Sequence, residues 1–210
     1  MTEVHKKDFL AYLKGKKIVL IYTLLIFLIP AIALSLIKPL EYSSKVSVLI
    51  IQKINPNLDA YTAARAAEKL SDNLVQIIYT TSFYEKIRST NFNLGLDWPE
   101  TEKERRDYWS EKVSAKSIPD TSILEITAYD QNPEQAARLA DAVAYVLITN
   151  GQEYHGGGED IVIKKVDSNI TSNYPVRPNI ILNVISGLFF GIFVGLFIVY
   201  WKYSREYFNH

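Results

Sequence analysis

The chain has 210 residues, of which 48% are hydrophobic and 22% are charged, and its 23 basic residues balance its 23 acidic residues. It contains no cysteine, which excludes a disulfide framework and any thiolate metal site. A mean hydropathy of zero is the average of very unlike segments. No charged residue occurs between Ile18 and Ile37 or between Ile180 and Trp201. Each run has the roughly 20 residues that a helix needs to cross a bilayer, so the sequence predicts two membrane spans.

The first apolar run has two possible interpretations. Three lysines precede it and the small residues Ala31-Ile32-Ala33 lie near its end, as in a signal peptide with a cleavage site. The apolar character nevertheless continues to Ile37, which is long for a signal peptide. We therefore favour a retained anchor over a cleaved signal.

The charges around the spans predict their orientation. Five lysines precede the first span, and Lys202 and Arg205 follow the second, whereas the segment from Glu41 to Val176 has 14 basic and 20 acidic residues, a net charge of −6. Basic flanks are typical of the cytoplasmic side, and Tyr200, Trp201 and Tyr203 fit an aromatic belt at the interface. The predicted organisation is a cytoplasmic segment (1–17), a first transmembrane helix (18–37), an extracytoplasmic domain (38–179), a second transmembrane helix (180–201) and a short cytoplasmic tail (202–210).

The first half of the predicted domain combines one strand with helices. Residues 42–53 alternate and are rich in β-branched side chains, which predicts a strand directly after the first span. A helix follows, because apolar residues recur at spacings of three and four on one face. That face comprises Ala63, Ala66, Ala67, Leu70, Leu74, Ile77 and Ile78. We expect a short helix over 82–89 and a turn-rich segment over 91–99.

The second half continues the alternation of helices and strands. A charged, partly exposed helix is expected over 100–113, and strands over 122–129 and 160–166. Between these strands Asn132 is suited to cap a helix, Pro133 to open it, and Gln135 to complete a capping box. The predicted fold is therefore an α/β (α+β) domain, a small sheet backed by helices, flanked by the two transmembrane helices.

The predicted domain shows no pattern of catalytic chemistry. His155 is the only histidine expected on the extracytoplasmic side, and the neighbouring Gly156 to Gly158 lack the Lys and Ser or Thr of a phosphate-binding loop. The carboxylates near residue 104 alternate with basic residues, as on a solvated helix. We therefore expect no catalytic, cofactor-binding or metal site, and no enzyme. A catalytic pair assembled from distant positions would not be visible in a sequence.

The last span and its approach have a distinctive pattern. Gly187, Gly191 and Gly195 lie on one helix face, where small residues allow another helix to approach closely. Glycine is also common in spanning helices generally, so the face predicts a helix contact and oligomerisation without proving either. Pro175 and Pro178 disfavour helical conformation in the residues before them and are expected to stiffen the connection to the span.

Five features, in chain order, together resemble one family. They are DFLAYLKGKK before the first span, a strand directly after that span, TSFYEKI, SILEITAYDQNPEQAARLADAVAYVL, and a proline-spaced approach to a Gly-x-x-x-Gly final span. This arrangement resembles the Wzz-type chain-length determinants, also called polysaccharide copolymerases. Two departures stand out: Ser172 occupies the first of three proline positions common in the family, and a long helical extension of larger relatives is missing near Gly156 to Gly158.

The resemblance implies a non-enzymatic oligomer of the plasma (inner) membrane that regulates the chain length and export of a surface polysaccharide. That polysaccharide could be the O-antigen of lipopolysaccharide, a capsule or an exopolysaccharide. The implied partners are further copies of the chain, a polysaccharide polymerase and its lipid-linked glycan, with no cofactor and no nucleic acid. Relatives with a small outer domain pair with a cytoplasmic tyrosine kinase, and the nine residues after Trp201 predict that any such kinase is a separate protein. Two alternatives remain open: an adaptor or sensor that activates such a kinase, and, less favoured, a membrane-anchored glycan enzyme.

Overall fold

The computed structural model describes residues 9–53, 59–156 and 158–208. The predictions that involve His5, Lys6, Lys7, Gly157 and His210 lie outside the described residues. The chain forms two compact units. The helical unit is built from the two ends of the chain, and the α/β unit comprises Leu40–Val176.

Among its described residues, the helical unit contains three helices, α1 (Phe9–Gly15), α2 (Lys17–Ile37) and α8 (Ile180–Phe208). By length and composition, α2 and α8 are each able to cross a membrane. Most of their side chains face outward from the pair, unlike those of a helix in a soluble core. These helices are consistent with the predicted two-span membrane protein.

The α/β unit alternates helices with short strands. Its helices are α3 (Ala60–Ile78), α4 (Thr81–Arg88), α5 (Glu102–Lys112), α6 (Pro133–Asn150) and α7 (Gln152–His155), with a 3₁₀ turn at Gly158–Asp160. Its strands are β1 (Tyr42–Gln52), β2 (Val113–Ser117), β3 (Ile123–Asp130), β4 (Ile161–Lys165) and β5 (Ile170–Thr171). The mixed helix and sheet class predicted from the sequence is confirmed.

All strand pairs in the sheet are antiparallel, and β1 lies at its centre. On one side β1 pairs with β3, where Val46 lies opposite Ile126, and β2 continues the sheet beyond β3. On the other side β1 pairs first with β5 and then with β4, where Ile50 lies opposite Ile163. The strand that follows the first apolar helix therefore organises the whole sheet.

The core lies between one face of the sheet and helices α3 and α6. Alternate residues of β1 and β3 point into it, as their period of two requires. The helices meet them with side chains at spacings of three and four, among them Leu74, Ile78, Leu139, Val143 and Leu147, all at most 1% exposed. One member of the predicted helix face is wrong: Ala66 is exposed, and Ser71 is buried instead.

Two strands were not predicted. β2 begins directly after α5, where the sequence predicts the end of a helix, and its residues VSAKS have little intrinsic strand preference. Pairing with β3 orders it, and the amide N–H of Ala115 also donates to the Tyr79 hydroxyl (2.8 Å). β5 is only two residues long, too short for any alternation to show.

The start of α6 differs from the prediction in one partner. The Asn132 side chain caps the helix by accepting from the amide N–H of Glu134 (2.8 Å), as expected. The amide N–H of Asn132 donates to Asp130 (2.9 Å) rather than to Gln135. Asp130 is nearer along the chain, at the end of β3, so the predicted capping box does not form.

Candidate functional site

The glycine face of α8 packs against α2 of the same chain. Successive glycines of α8 meet successively earlier residues of α2, so the two helices run antiparallel. A Cβ added at Gly187 would lie 3.0 Å from Cβ of Ala31, and one added at Gly191 would lie 2.8 Å from Cα of Leu24. At Gly195 an added Cβ would overlap the Thr23 hydroxyl and lie 2.8 Å from Leu20. We call this contact the glycine seam.

The atoms nearest to each glycine determine whether a larger residue could replace it. At Gly191 the nearest atoms belong to the backbone of α2, so any side chain there would force the helices apart. At Gly195 the nearest atoms belong to the side chains of Thr23 and Leu20, which can rotate. The seam is therefore least tolerant at its middle. Whether the same glycines also serve oligomerisation remains a prediction.

Two buried polar side chains of α2, Ser35 and Thr23, lie along the seam. The Asn183 side-chain amide donates to the Ser35 hydroxyl (2.8 Å), and Ser35 donates to the carbonyl of Ala31 (2.8 Å). The Thr23 hydroxyl donates to the carbonyl of Leu20 (3.0 Å). Ser35 and Thr23 are both buried between the helices. In lipid such groups must be satisfied within the protein, and a bond between helices also fixes their register.

A groove opens beside the Asn183 contact. Its volume is about 340 Å³, and it is lined by Phe27, Pro30, Ala31 and Leu34 of α2 and by Asn183, Ser186, Gly187 and Phe190 of α8. Pro30 lies inside α2, where it cannot donate a backbone hydrogen bond. The groove therefore combines apolar walls with the polar side chains of Asn183 and Ser186.

The two predicted prolines fall in different units. Pro175 belongs to the end of the α/β unit, and Pro178 precedes α8 in the helical unit. The carbonyl of Pro178 accepts from the amide N–H of Ile180 (2.9 Å), and the Asn179 side chain caps α8 by accepting from that of Leu182 (3.0 Å). The structure therefore joins the three glycines in one contact and leaves the two prolines outside it.

The end of the α/β unit folds back beside its beginning. The Ser43 amide donates to the Ser172 hydroxyl (2.9 Å), the Ser172 amide donates to the carbonyl of Ser43 (2.8 Å), and that of Val176 donates to the carbonyl of Glu41 (2.8 Å). A proline at 172 would lack both the amide donor and the hydroxyl. Ser172 therefore has a structural use, which sequence patterns did not reveal.

A polar concavity of about 420 Å³ lies on the α/β unit. It is lined by Lys86, Ser89, Thr90, Asn91, Phe92, Tyr145 and Asn150, and we call it the Tyr145 concavity. The Tyr145 ring is 51% exposed and packs against Phe92 with 5.6 Å between centroids. Lys86 and Asn150 both donate to Glu153, at 2.6 and 3.1 Å, and the bond to Glu153 raises the pKa of Lys86. No sequence pattern singled out this surface, because its residues come from two separate segments, 86–92 and 145–150.

His155 and the carboxylates near residue 104 do not form a cluster in the described residues. His155 ends α7, and partial burial lowers its pKa. Gly156 and Gly158 have φ of +64° and +55°, a backbone conformation that favours glycine. Within residues 9–53, 59–156 and 158–208, no three His, Cys, Asp or Glu side chains are grouped as metal ligands would be.

The chain matches no model of a protein family, and no curated protein matches it.

Proposed function

We propose that the protein is a non-enzymatic membrane oligomer that regulates the chain length and export of a surface polysaccharide, together with a polymerase and its lipid-linked glycan. The observation that carries the proposal is the architecture of the α/β unit. Its first and last segments are hydrogen-bonded side by side, and each continues into a helix long enough to cross a membrane. The motifs that resemble the Wzz-type proteins occur in the same order along this architecture.

We further propose that both ends of the chain are cytoplasmic and that the α/β unit is extracytoplasmic, in the plasma membrane. The basic flanks of the two apolar helices support this orientation. The net charge of −6 over residues 41–176 also suits a segment that has crossed the membrane.

Because α2 of the same chain packs on the glycine seam, we propose that copies of the chain also associate through a second surface, the outer face of α8. The outer face of α8 offers the exposed rings of Phe189, Phe193 and Phe197. Large apolar side chains of this kind give dispersion contacts between neighbouring helices. A cluster of copies would hold the polymerase and the growing glycan together, which gives the scaffold its effect on chain length.

The Tyr145 concavity is the surface where we expect the glycan to contact the α/β unit. An exposed tyrosine presents a flat apolar face to the C–H groups of a sugar ring, while its hydroxyl stays hydrated. The surrounding hydroxyl, amide and ammonium groups are donors and acceptors suited to sugar hydroxyls. Such a surface binds each sugar weakly, which suits a chain that must move past it.

Deleting the gene and measuring the length distribution of the surface glycan by gel electrophoresis tests the proposal directly. We expect the modal length to be lost or shifted and to return when the intact gene is supplied in trans. A distribution that is unchanged by the deletion would contradict the proposed function.

Tyr145→Ala tests the glycan contact in the same assay. We expect a shift in modal length at unchanged protein abundance, because the variant removes the exposed ring without emptying the core. Tyr61→Ala is the matched control, since Tyr61 is 72% exposed on α3 and lies outside the concavity. Equal effects of the two substitutions would count against a glycan contact at Tyr145.

A further inference from the structure

The helical unit ends in a basic and aromatic surface that the proposed function does not use. The Phe9 ring of α1 lies 6.0 Å from Tyr200 and 5.4 Å from Tyr203 of α8, between centroids, and the Tyr12 ring lies 5.4 Å from Tyr203. These are edge-to-face contacts, the geometry that aromatic pairs favour. They hold α1 against the last turns of α8, although the two helices come from opposite ends of the sequence.

This contact brings together cations that the sequence separates. We call the surface the basic end, and its cations are Lys14, Lys16, Lys17, Lys202 and Arg205. Within residues 9–17 and 200–208, Glu206 is the only acidic residue. Lys16 lies over the Tyr12 ring at 5.5 Å, and the Arg205 guanidinium lies over Trp201 at 4.3 Å. The aromatic rings therefore hold two of the cations in place.

The depth of this surface identifies its ligand. Trp and Tyr rings at the end of a spanning helix lie at the level of the lipid head groups, and the cations follow directly after them. Anionic head groups are attracted to juxtamembrane lysine and arginine. A soluble protein would have to reach these cations through the head-group layer, whereas phospholipids are already there at high local concentration.

We propose that the basic end binds the head groups of anionic phospholipids, and that α1 completes the site by adding its lysines to the cations of α8. The inference requires that α2 and α8 cross a bilayer. It does not depend on the polysaccharide function, because a membrane protein of any activity could use such a site.

The test uses the full-length chain in mild detergent, with added phosphatidylglycerol or phosphatidylcholine, and counts bound lipid by native mass spectrometry. We expect phosphatidylglycerol to be retained in preference to phosphatidylcholine. Each single substitution K14Q or K202Q should weaken phosphatidylglycerol binding about fivefold, which corresponds to about 1 kcal/mol per cation near the surface. The combined variant K14Q/K17Q/K202Q/R205Q should lose the preference.

Two controls separate the site from general charge. K53Q/K69Q/K103Q/K164Q makes the same change in net charge at exposed lysines of the α/β unit and should keep the preference. Phe9→Ala changes no charge but removes two of the ring contacts that hold α1, and should weaken phosphatidylglycerol binding. Phe193→Ala, an exposed ring elsewhere on α8, should not.

Equal retention of the two lipids by the natural chain would overturn the proposal. Undiminished preference in both K14Q and K202Q would overturn it as well, as would an equal loss in the α/β-unit control. Because the readout is lipid bound to purified protein, its failure would leave the effect of gene deletion on glycan length unchanged.

Discussion

Among the carboxylates of the described residues, Glu102 has the most clearly shifted pKa. It receives hydrogen bonds from the Thr81 hydroxyl, from the Tyr84 hydroxyl (2.6 Å) and from Nε of Arg106 (3.0 Å). These bonds favour the ionised form and lower the pKa of Glu102 from 4.5 to about 2. Because Thr81 and Tyr84 belong to α4, the same bonds join α4 to the first turn of α5.

Glu102→Gln is therefore expected to destabilise the α/β unit in a pH-dependent way. A carboxylate whose pKa is lowered by folding stabilises the fold above its unfolded pKa, and this contribution is lost as the pH falls from 4.5 toward 2. The variant should be less stable than the natural chain at pH 7, and the difference should shrink across that window. Denaturant unfolding of the full chain, followed by tryptophan fluorescence, measures it.

Glu100→Gln is the matched control for this pH dependence. Glu100 is an exposed carboxylate just before α5, and its backbone carbonyl, not its side chain, accepts from Arg105 (2.8 Å). The control should unfold like the natural chain at each pH. A stability difference for Glu102→Gln that stays constant from pH 7 to pH 2 would contradict the assigned role of the ionised carboxylate.

At the scale of elements, the packing in the glycine seam can be tested by disulfide cross-linking. The natural chain has no cysteine, so only the introduced cysteines can react. The Cβ positions of residues 31 and 187 are 3.0 Å apart, close to the separation of about 3.5–4.5 Å in disulfides. We expect the double variant A31C/G187C to form a disulfide within one chain on mild oxidation. Its product should run as a monomer with altered mobility on a non-reducing gel.

The control for the seam is A31C/F189C, because Phe189 is 64% exposed on the outer side of α8. That pair should not form an intrachain disulfide. Efficient cross-linking of A31C/G187C into dimers would show instead that the glycine face meets a second copy, and would contradict the packing within one chain.

Elements with strong local patterns were predictable from the sequence, and those that depend on distant partners were not. The central strand, β3, α3 and α6 each have a clear period, and α6 also has its capping asparagine. The two apolar helices are recognisable by the length of their uncharged runs. β2 and β5 exist because β3 and β1 offer them hydrogen bonds, which no local window contains. The two missed strands therefore reflect pairing rather than propensity.

In the candidate site, too, local patterns were predictable from the sequence and contacts with distant partners were not. The spacing of Gly187, Gly191 and Gly195 predicted a close helix contact, but a stripe of glycines does not identify the helix that fills it. The contact of Phe9 with Tyr203 was not foreseen either, because α1 and the end of α8 are at opposite ends of the chain. What a sequence pattern leaves open is the identity of the partner.

At the scale of the whole molecule, the hydrogen bond between Val176 and Glu41 affects how the α/β unit responds to force. The two ends of the α/β unit are fixed to each other by backbone hydrogen bonds, so a force on one end is shared by the other. Lys112 reinforces this end of the sheet, because it contacts Glu41 at 3.0 Å and Asp130 at 3.5 Å. In the proposed scaffold, these bonds would keep the two ends of the α/β unit together if a polymer pulled on it.

The orientation of the whole molecule is the last prediction, and it follows from charge alone. Lysine and arginine flanks are retained on the cytoplasmic side, so Lys202 should be cytoplasmic and Lys164, in the acidic segment, should be outside. Single cysteines placed at these exposed positions can be labelled with a membrane-impermeant maleimide in spheroplasts, with the cysteine-free parent as the blank. We expect K164C to react at once and K202C to react only after the membrane is permeabilised. The opposite order of labelling would place the α/β unit in the cytoplasm and would remove its access to an exported glycan.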